Sequence, residues 1–229
     1  MTIHYHGTPI TPIRVLETLA GEHFCVSYSR PTDLVRCAKI GQSLMLDNGA
    51  FSAWTQGKPI TDWKPFYDWA MPWLDGPAWL VLPDVVGGDW RETAKLIGEA
   101  PNELWRHQWK AAPVWHLHDP IERLLDMADW WPKICFGSSA EYAKVGSDSW
   151  HRRVTLAFNE LTKRHRWTQV HMLRGMRCVR WGYPFYSVDS TDVARNHKRP
   201  QNTALGMARG WDALQCPISW SPQPTEEGL

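Results

Sequence analysis

The feature that most limits the fold of this chain is a repeated alternation. Short apolar runs rich in β-formers end in polar or glycine residues, and each is followed by a stretch with helical periodicity. Eight such runs can be read, at 3–6, 24–27, 43–46, 79–82, 113–117, 134–136, 169–173 and 185–188. Helix starts between them are marked by Pro31-Thr32-Asp33 before Leu34, by Asp89 before Trp90-Arg91-Glu92, and by Asp119-Pro120 before Ile121, Leu124, Leu125 and Ala128. Strand and helix in succession build a parallel sheet, and eight such units close a barrel. A length of 229 residues suits one barrel of roughly 200 to 250 residues. The expectation is an α/β chain forming a single eight-stranded β/α (TIM) barrel over residues 1–218, with a flexible tail at 219–229. Between the seventh and eighth runs, residues 177–182 leave room for only a turn or two of helix.

Composition adds little about partners. Lys plus Arg number 25 against 24 for Asp plus Glu, a net charge of +1 that neither announces a polynucleotide ligand nor excludes one, because a local basic patch can hide in a neutral sum. Five cysteines without a C-x-x-C pair, and no leader-like or long apolar segment, fit a reducing cytoplasm and no membrane. The sixteen tryptophans, such as Trp130-Trp131, are read as packing residues.

Barrels of this kind place their chemistry at the C-terminal ends of the strands. The residues following the runs are His6-Gly7-Thr8, Asp47-Asn48-Gly49-Ala50-Phe51, Pro83-Asp84-Val85-Val86-Gly87-Gly88-Asp89, His116-Leu117-His118-Asp119, Gly137-Ser138-Ser139, Arg174-Gly175 and Asp189-Ser190-Thr191-Asp192. Asp89 and Asp119 directly precede helices and read as turn or cap residues. Asp47, Asp84 and Asp189 do not, and three carboxylates at one mouth shift one another's pKa values, which suits a division between nucleophile and proton carrier.

At these residues a resemblance emerges. Asp47-Asn48-Gly49-Ala50-Phe51-Ser52 resembles the D-S-G-G-F/Y-Q segment of the tRNA-guanine transglycosylase superfamily. Phe136-Gly137-Ser138-Ser139 occupies the place of its Gly-Gly-Leu-Ala loop, and Met172-Leu173-Arg174-Gly175 resembles its Tyr-Leu-Met-Gly segment. Phe185-Tyr186-Ser187-Val188-Asp189-Ser190-Thr191-Asp192-Val193-Ala194-Arg195 resembles the strand with the nucleophilic aspartate. Its V-D-S-T form and the short chain look closer to the branch that inserts 7-deazaguanines, such as 7-cyano-7-deazaguanine, into DNA in phages and bacterial modification clusters. The C-x-C-x-x-C zinc insertion of the tRNA enzymes is missing from this sequence, and the aspartate stands three residues beyond the family's column, which here holds Tyr186.

The resemblance implies base exchange, without cofactor or metal. Asp189 would attack the sugar and hold a covalent glycosyl-enzyme, and Asp47 would shuttle the proton between leaving and incoming bases. Asp84, Phe51, Gly137, Arg174 and Gly175 would bind the base, together with His116 or His118, between which the sequence does not choose. Arg195, Lys198 and Arg199 would hold DNA phosphates. The implied partners are DNA, flipped or single-stranded, and a free 7-deazapurine, in the cytoplasm of the cell or of a phage host. Accessory proteins and a homodimer stay open. The clusters His151-Arg152-Arg153 and Lys163-Arg164-His165-Arg166 could extend the basic rim or be plain solvated helix faces.

Three alternatives accompany this reading. One is RNA modification like that of the tRNA enzymes. A second is a metal-dependent amidohydrolase-like barrel using His4 and His6 of an H-x-H pair, His116, His118 and Asp189. The third is a barrel that binds DNA or a nucleobase without catalysis.

Overall fold

The structure is a computed structural model describing residues 1–164 and 168–224. It is an α/β fold around a parallel, nearly closed, barrel-like sheet of nine strands. These are β1 (Ile3–Gly7), β2 (His23–Ser27), β3 (Ser43–Asp47), β4 (Ala78–Val81), β5 (Ala111–Ala112), β6 (Val114–His116), β7 (Lys133–Gly137), β8 (Gln169–Met172) and β9 (Ser187–Ser190). The hydrogen-bonded order is β5-β4-β3-β2-β1-β9-β8-β7-β6.

Nine strands replace the expected eight because a further short strand, Ala111–Ala112, precedes the fifth run and is separated from the strand at Val114–His116 by Pro113. Proline has no N–H to give to a ladder, so the ladder breaks there. Before the break, Ala112 accepts from the Leu82 N–H at 2.9 Å, and after it Pro113 itself accepts from the Cys135 N–H at 2.9 Å. The two ends of the sheet are therefore consecutive in the chain, one residue apart. The last run is also displaced. The strand occupies Ser187–Ser190, with Asp189 paired to Tyr5, so Asp189 lies within the ladder and not beyond its end.

The helices pack outside. They are α1 (Ile13–Glu17), α2 (Leu34–Ile40), α3 (Ala50–Thr55), α4 (Lys64–Ala70), α5 (Trp90–Gly98), α6 (Ile121–Trp130), α7 (Asp148–Lys163), α8 (Asp192–Asn196) and α9 (Ala204–Asp212). Asp89 caps α5 in a capping box with Glu92, while Asp119 accepts from the His116 N–H at 3.0 Å in the turn before α6. The short link before β9 is a single 3-10 helix, Met176–Arg180. Helix α7 buries Trp150, Val154, Ala157, Phe158 and Leu161, one stripe at helical spacing.

The segment expected as a tail is anchored as far as it is described. Asn159 of α7 accepts from Trp220 Nε1 and the Gln223 N–H, and its amide donates to the Gln223 carbonyl at 2.7 Å. The remaining residues, 225–229, lie outside the described residues.

Inside the sheet, alternate residues of the strands form a separate core of Tyr5, Cys25, Met45, Trp79, Val81, Ala112, Val114 and Cys135. Its polar edges are paired: Trp79 Nε1 donates to the Tyr5 hydroxyl at 2.9 Å, which lies 3.1 Å from the Ser43 hydroxyl. Tyr5, Trp79 and His171 meet edge to face with ring centroids 5.2 to 6.0 Å apart. Lys133 Nζ stands 4.1 Å over the Trp79 ring, and burial pulls its pKa down to about 8. This plug fills the barrel below the mouth. Trp79→Ala should cost about 3–5 kcal/mol in urea unfolding, through the cavity it leaves and the loss of one of the two hydrogen bonds of the Tyr5 hydroxyl. A loss below about 1 kcal/mol would mean that the plug does not support the sheet.

Candidate active site

The C-terminal ends of the strands surround a cavity of about 820 Å³. Its lining includes Asp47, Asp84, Asp189, Phe51, Gly137, His116, Arg174 and Arg195 from the expected set. Four expected residues, His118, Gly175, Lys198 and Arg199, are not part of the lining. His118 sits behind His116, stacked at 5.5 Å between centroids, with Nε2 on the Gly88 carbonyl and Nδ1 on Ser139. Of the two histidines, His116 is the one that lines the cavity. Gly175 serves packing instead: a Cβ there would come within 2.2 Å of Met172 Cγ. Lys198 and Arg199 are exposed beside the cavity, with Lys198 Nζ 3.4 Å from Thr11, which does line it.

Asp47 is the last residue of β3 and faces the cavity, accepting from the Gly49 N–H at 3.2 Å. Gly49 has φ +79, a left-handed turn that glycine adopts without strain, and it launches α3 so that Phe51 follows at once. Burial raises the Asp47 pKa to about 6; Ser27 opposes the shift, and the neighbouring Asp189 and Asp84 carboxylates reinforce it. A carboxyl poised near neutrality can both give and take a proton.

Asp84 is held from two sides. Its Oδ1 accepts from Asn48 Nδ2 at 2.8 Å and its Oδ2 pairs with His116 Nε2 at 2.9 Å. A carboxylate only accepts, so Nε2 carries the hydrogen and Nδ1 is left as an acceptor, 3.1 Å from the Ser139 hydroxyl, whose single hydrogen faces His116 Nδ1 and His118 Nδ1 alike. Gly137 makes this possible, since a Cβ at that position would approach His116 Nδ1 to 2.6 Å.

Asp189 faces the cavity from β9. Both of its hydrogen bonds fall on Oδ1, from the Arg174 N–H at 2.6 Å and with His171 Nε2 at 3.3 Å. His171 is wholly buried, which lowers its pKa despite the adjacent Asp189, and its Nδ1 meets Ser187 at 2.8 Å. Arg174 is held at φ +56, unusual for a residue with a side chain. The same residue lays its guanidinium over Phe51, 3.7 Å from the ring centroid, and donates to the Ser138 carbonyl at 2.8 Å.

Sequence reasoning missed Asn48, His171 and Arg30. Asn48 ties Asp84 and the Leu82 carbonyl to the start of α3, where its Oδ1 accepts from the Ala50 N–H at 2.8 Å. Arg30 lines the cavity after β2, and the strand-end rule applied to that run would have found it. Cys25 also lines the cavity, but burial and the nearby Asp189 push its thiol far up, which removes it as a nucleophile.

The ligand set of the metal-dependent hydrolase is not assembled. His4 and His6 point to the outer side of β1, toward Asp212 of α9, at 3.4 and 3.6 Å, while His116 faces the cavity. Of the other basic clusters, Arg153 is engaged with the Leu117 and Asp119 carbonyls and His151 with Tyr183; His165 and Arg166 lie outside the described residues. No described helix is long and apolar enough to cross a membrane, and all five cysteines are buried and unpaired. No protein-family model and no curated protein matches the chain.

The raised pKa of Asp47 has a stability consequence. The unfolded chain releases this proton near pH 4 and the native protein near pH 6, so native stability falls across that interval and stays lower above it. Asp47→Asn should therefore raise unfolding free energy at pH 7.5, by on the order of 2 kcal/mol after a discount for solvent at the mouth. The gain should vanish by pH 4; a gain equal at both pH values would contradict the shift.

Proposed function

We propose that the protein is a DNA base-exchange transglycosylase that replaces guanine with a 7-deazaguanine. The observation that carries this is the convergence of Asp47, Asp84 and Asp189 on one cavity, with Oδ1 of Asp189 held by the Arg174 N–H. The likeness of the segments around Asp47, Gly137, Arg174 and Asp189 to the transglycosylase superfamily supports the same reading.

In the proposed reaction an Asp189 carboxylate oxygen bonds to the sugar anomeric carbon while the bond from that carbon to guanine N9 breaks. The proton on Asp47 goes to the leaving base. The incoming base then loses its N9 proton to Asp47 and displaces Asp189, which restores both carboxyls. Electrons and protons balance without redox, phosphoryl transfer or activated water. Arg174 N–H and His171 would steady Asp189 as it becomes an ester, and Asp84 would receive the N–H edge of the base with its remaining lone pairs.

DNA is favoured as substrate over RNA. The chain has no counterpart of the zinc insertion, and the rim offers Arg30, Arg195 and Lys198 to a few phosphates. The recessed carboxylates require a flipped or single-stranded nucleotide, at a cost of about a few kcal/mol for unstacking.

Labelled guanine offered with duplex DNA, single-stranded DNA or bulk tRNA should enter DNA, with binding that weakens steeply as salt rises. Asp189→Ala should abolish exchange and any covalent adduct. Asp47→Asn should slow exchange by about 10²–10⁴-fold while leaving DNA binding nearly intact. Labelling of tRNA alone would sink the DNA assignment, and full activity in Asp189→Ala would remove that residue as the nucleophile.

A further inference from the structure

On the outer wall of the barrel, β1 turns His4 and His6 away from the cavity. Tyr5 and Gly7 take the inner positions, in the plug and in the cavity lining. Facing the two histidines is Asp212, the last residue of α9, whose Oδ1 lies 3.4 Å from His4 Nδ1 and 3.6 Å from His6 Nε2. Glu22, just before β2, completes the group: one ligand atom each from His6, Glu22 and Asp212 lie within 4.8 Å of one another.

His6 is fully buried, and neither of its ring nitrogens has a hydrogen-bond partner; His4 Nε2 has none either. Buried polar atoms are almost always satisfied, so three orphaned imidazole nitrogens in one place demand an account. Asp212 meets His6 only at ion-pair distance, 3.6 Å, longer than a normal hydrogen bond. Such spacing is instead close to that between ligands sharing a tetrahedral ion, since donors about 2.0–2.1 Å from a zinc ion stand about 3.3 Å apart.

The geometry points to a divalent transition-metal site on the outer wall, where His6, Glu22 and Asp212 bind one ion of the Zn²⁺ class and His4 steadies Asp212. Imidazole and carboxylate ligands without a thiolate suit Zn²⁺ or Mn²⁺ better than soft ions. Both carboxylates are partly exposed, with the Asp212 side chain at 32%, which gives the ion a route from solvent and room for a water as a further ligand. The ion would join the first strand, the start of the second and the last helix. It stands apart from the proposed chemistry, on the other side of β1, and does not depend on it.

The test uses tag-free, chelator-treated full-length protein titrated with zinc chloride by calorimetry, alongside thermal unfolding. One ion per chain and a higher unfolding temperature are expected. Glu22→Gln and Asp212→Asn, isosteric changes at partly exposed positions checked for folding by circular dichroism, should each weaken binding at least tenfold and erase the thermal shift. His116→Asn, in the cavity, should bind zinc like the native chain. Absence of stoichiometric binding, undiminished binding in both carboxylate variants, or loss of binding in His116→Asn overturns the site. None of these readouts involves base exchange, so failure here and failure of the transglycosylase reading are distinguishable.

Discussion

His171 belongs at once to the plug inside the barrel and to the floor of the cavity, and the arrangement of the mouth depends on it. Its ring packs edge-on against Tyr5 and Trp79 below, and its Nε2 reaches Asp189 above. Ser187, two residues before Asp189 and on the same face of β9, takes the other nitrogen, so the imidazole cannot rotate without losing a bond. Burial favours its neutral form against the opposing pull of Asp189. Packing and electrostatics are thus set by one side chain: the plug fixes the ring, and the ring fixes the carboxylate.

The three aspartates are treated differently by their surroundings. Asp84 is engaged on both oxygens by Asn48 and His116, Asp189 on Oδ1 alone, and Asp47 by one long bond from a backbone N–H. At Asp47 burial and the two neighbouring carboxylates raise the pKa to about 6. Identical side chains are therefore set in three different environments by their neighbours alone, and the proposed division of roles among them rests on that difference.

Much of this was legible in the chain and some of it could not be. Strand order and the residues at strand ends followed from the alternation of apolar runs with capped helices, and the aspartates came with them. The strand count did not: Ala111-Ala112 stands just ahead of the fifth run, whose first residue is Pro113, and a proline in a ladder marks an edge or a break. The orientation of His4 and His6 was beyond reach for a deeper reason. A strand in a parallel barrel is buried on both faces, so the run Ile3-His4-Tyr5-His6-Gly7 shows which residues share a side without showing which side is inner. His171 escaped for the same cause. Gly175 misled because a glycine needed for close packing against Met172 looks, in sequence, like one needed by a ligand.

Arg174 carries one further consequence. Its backbone is tied to Asp189 and its guanidinium lies flat on Phe51, so the aromatic face nearest the carboxylates already has a planar partner. Any flat ligand that settles on that face must first evict the guanidinium and forgo a contact of about 0.5–2 kcal/mol. A solute too small to replace the lost surface, water included, gains nothing by the exchange. If the cavity takes a base as proposed, the arginine would therefore set a size threshold at this ring, met only by a ligand broad enough to restore the contact.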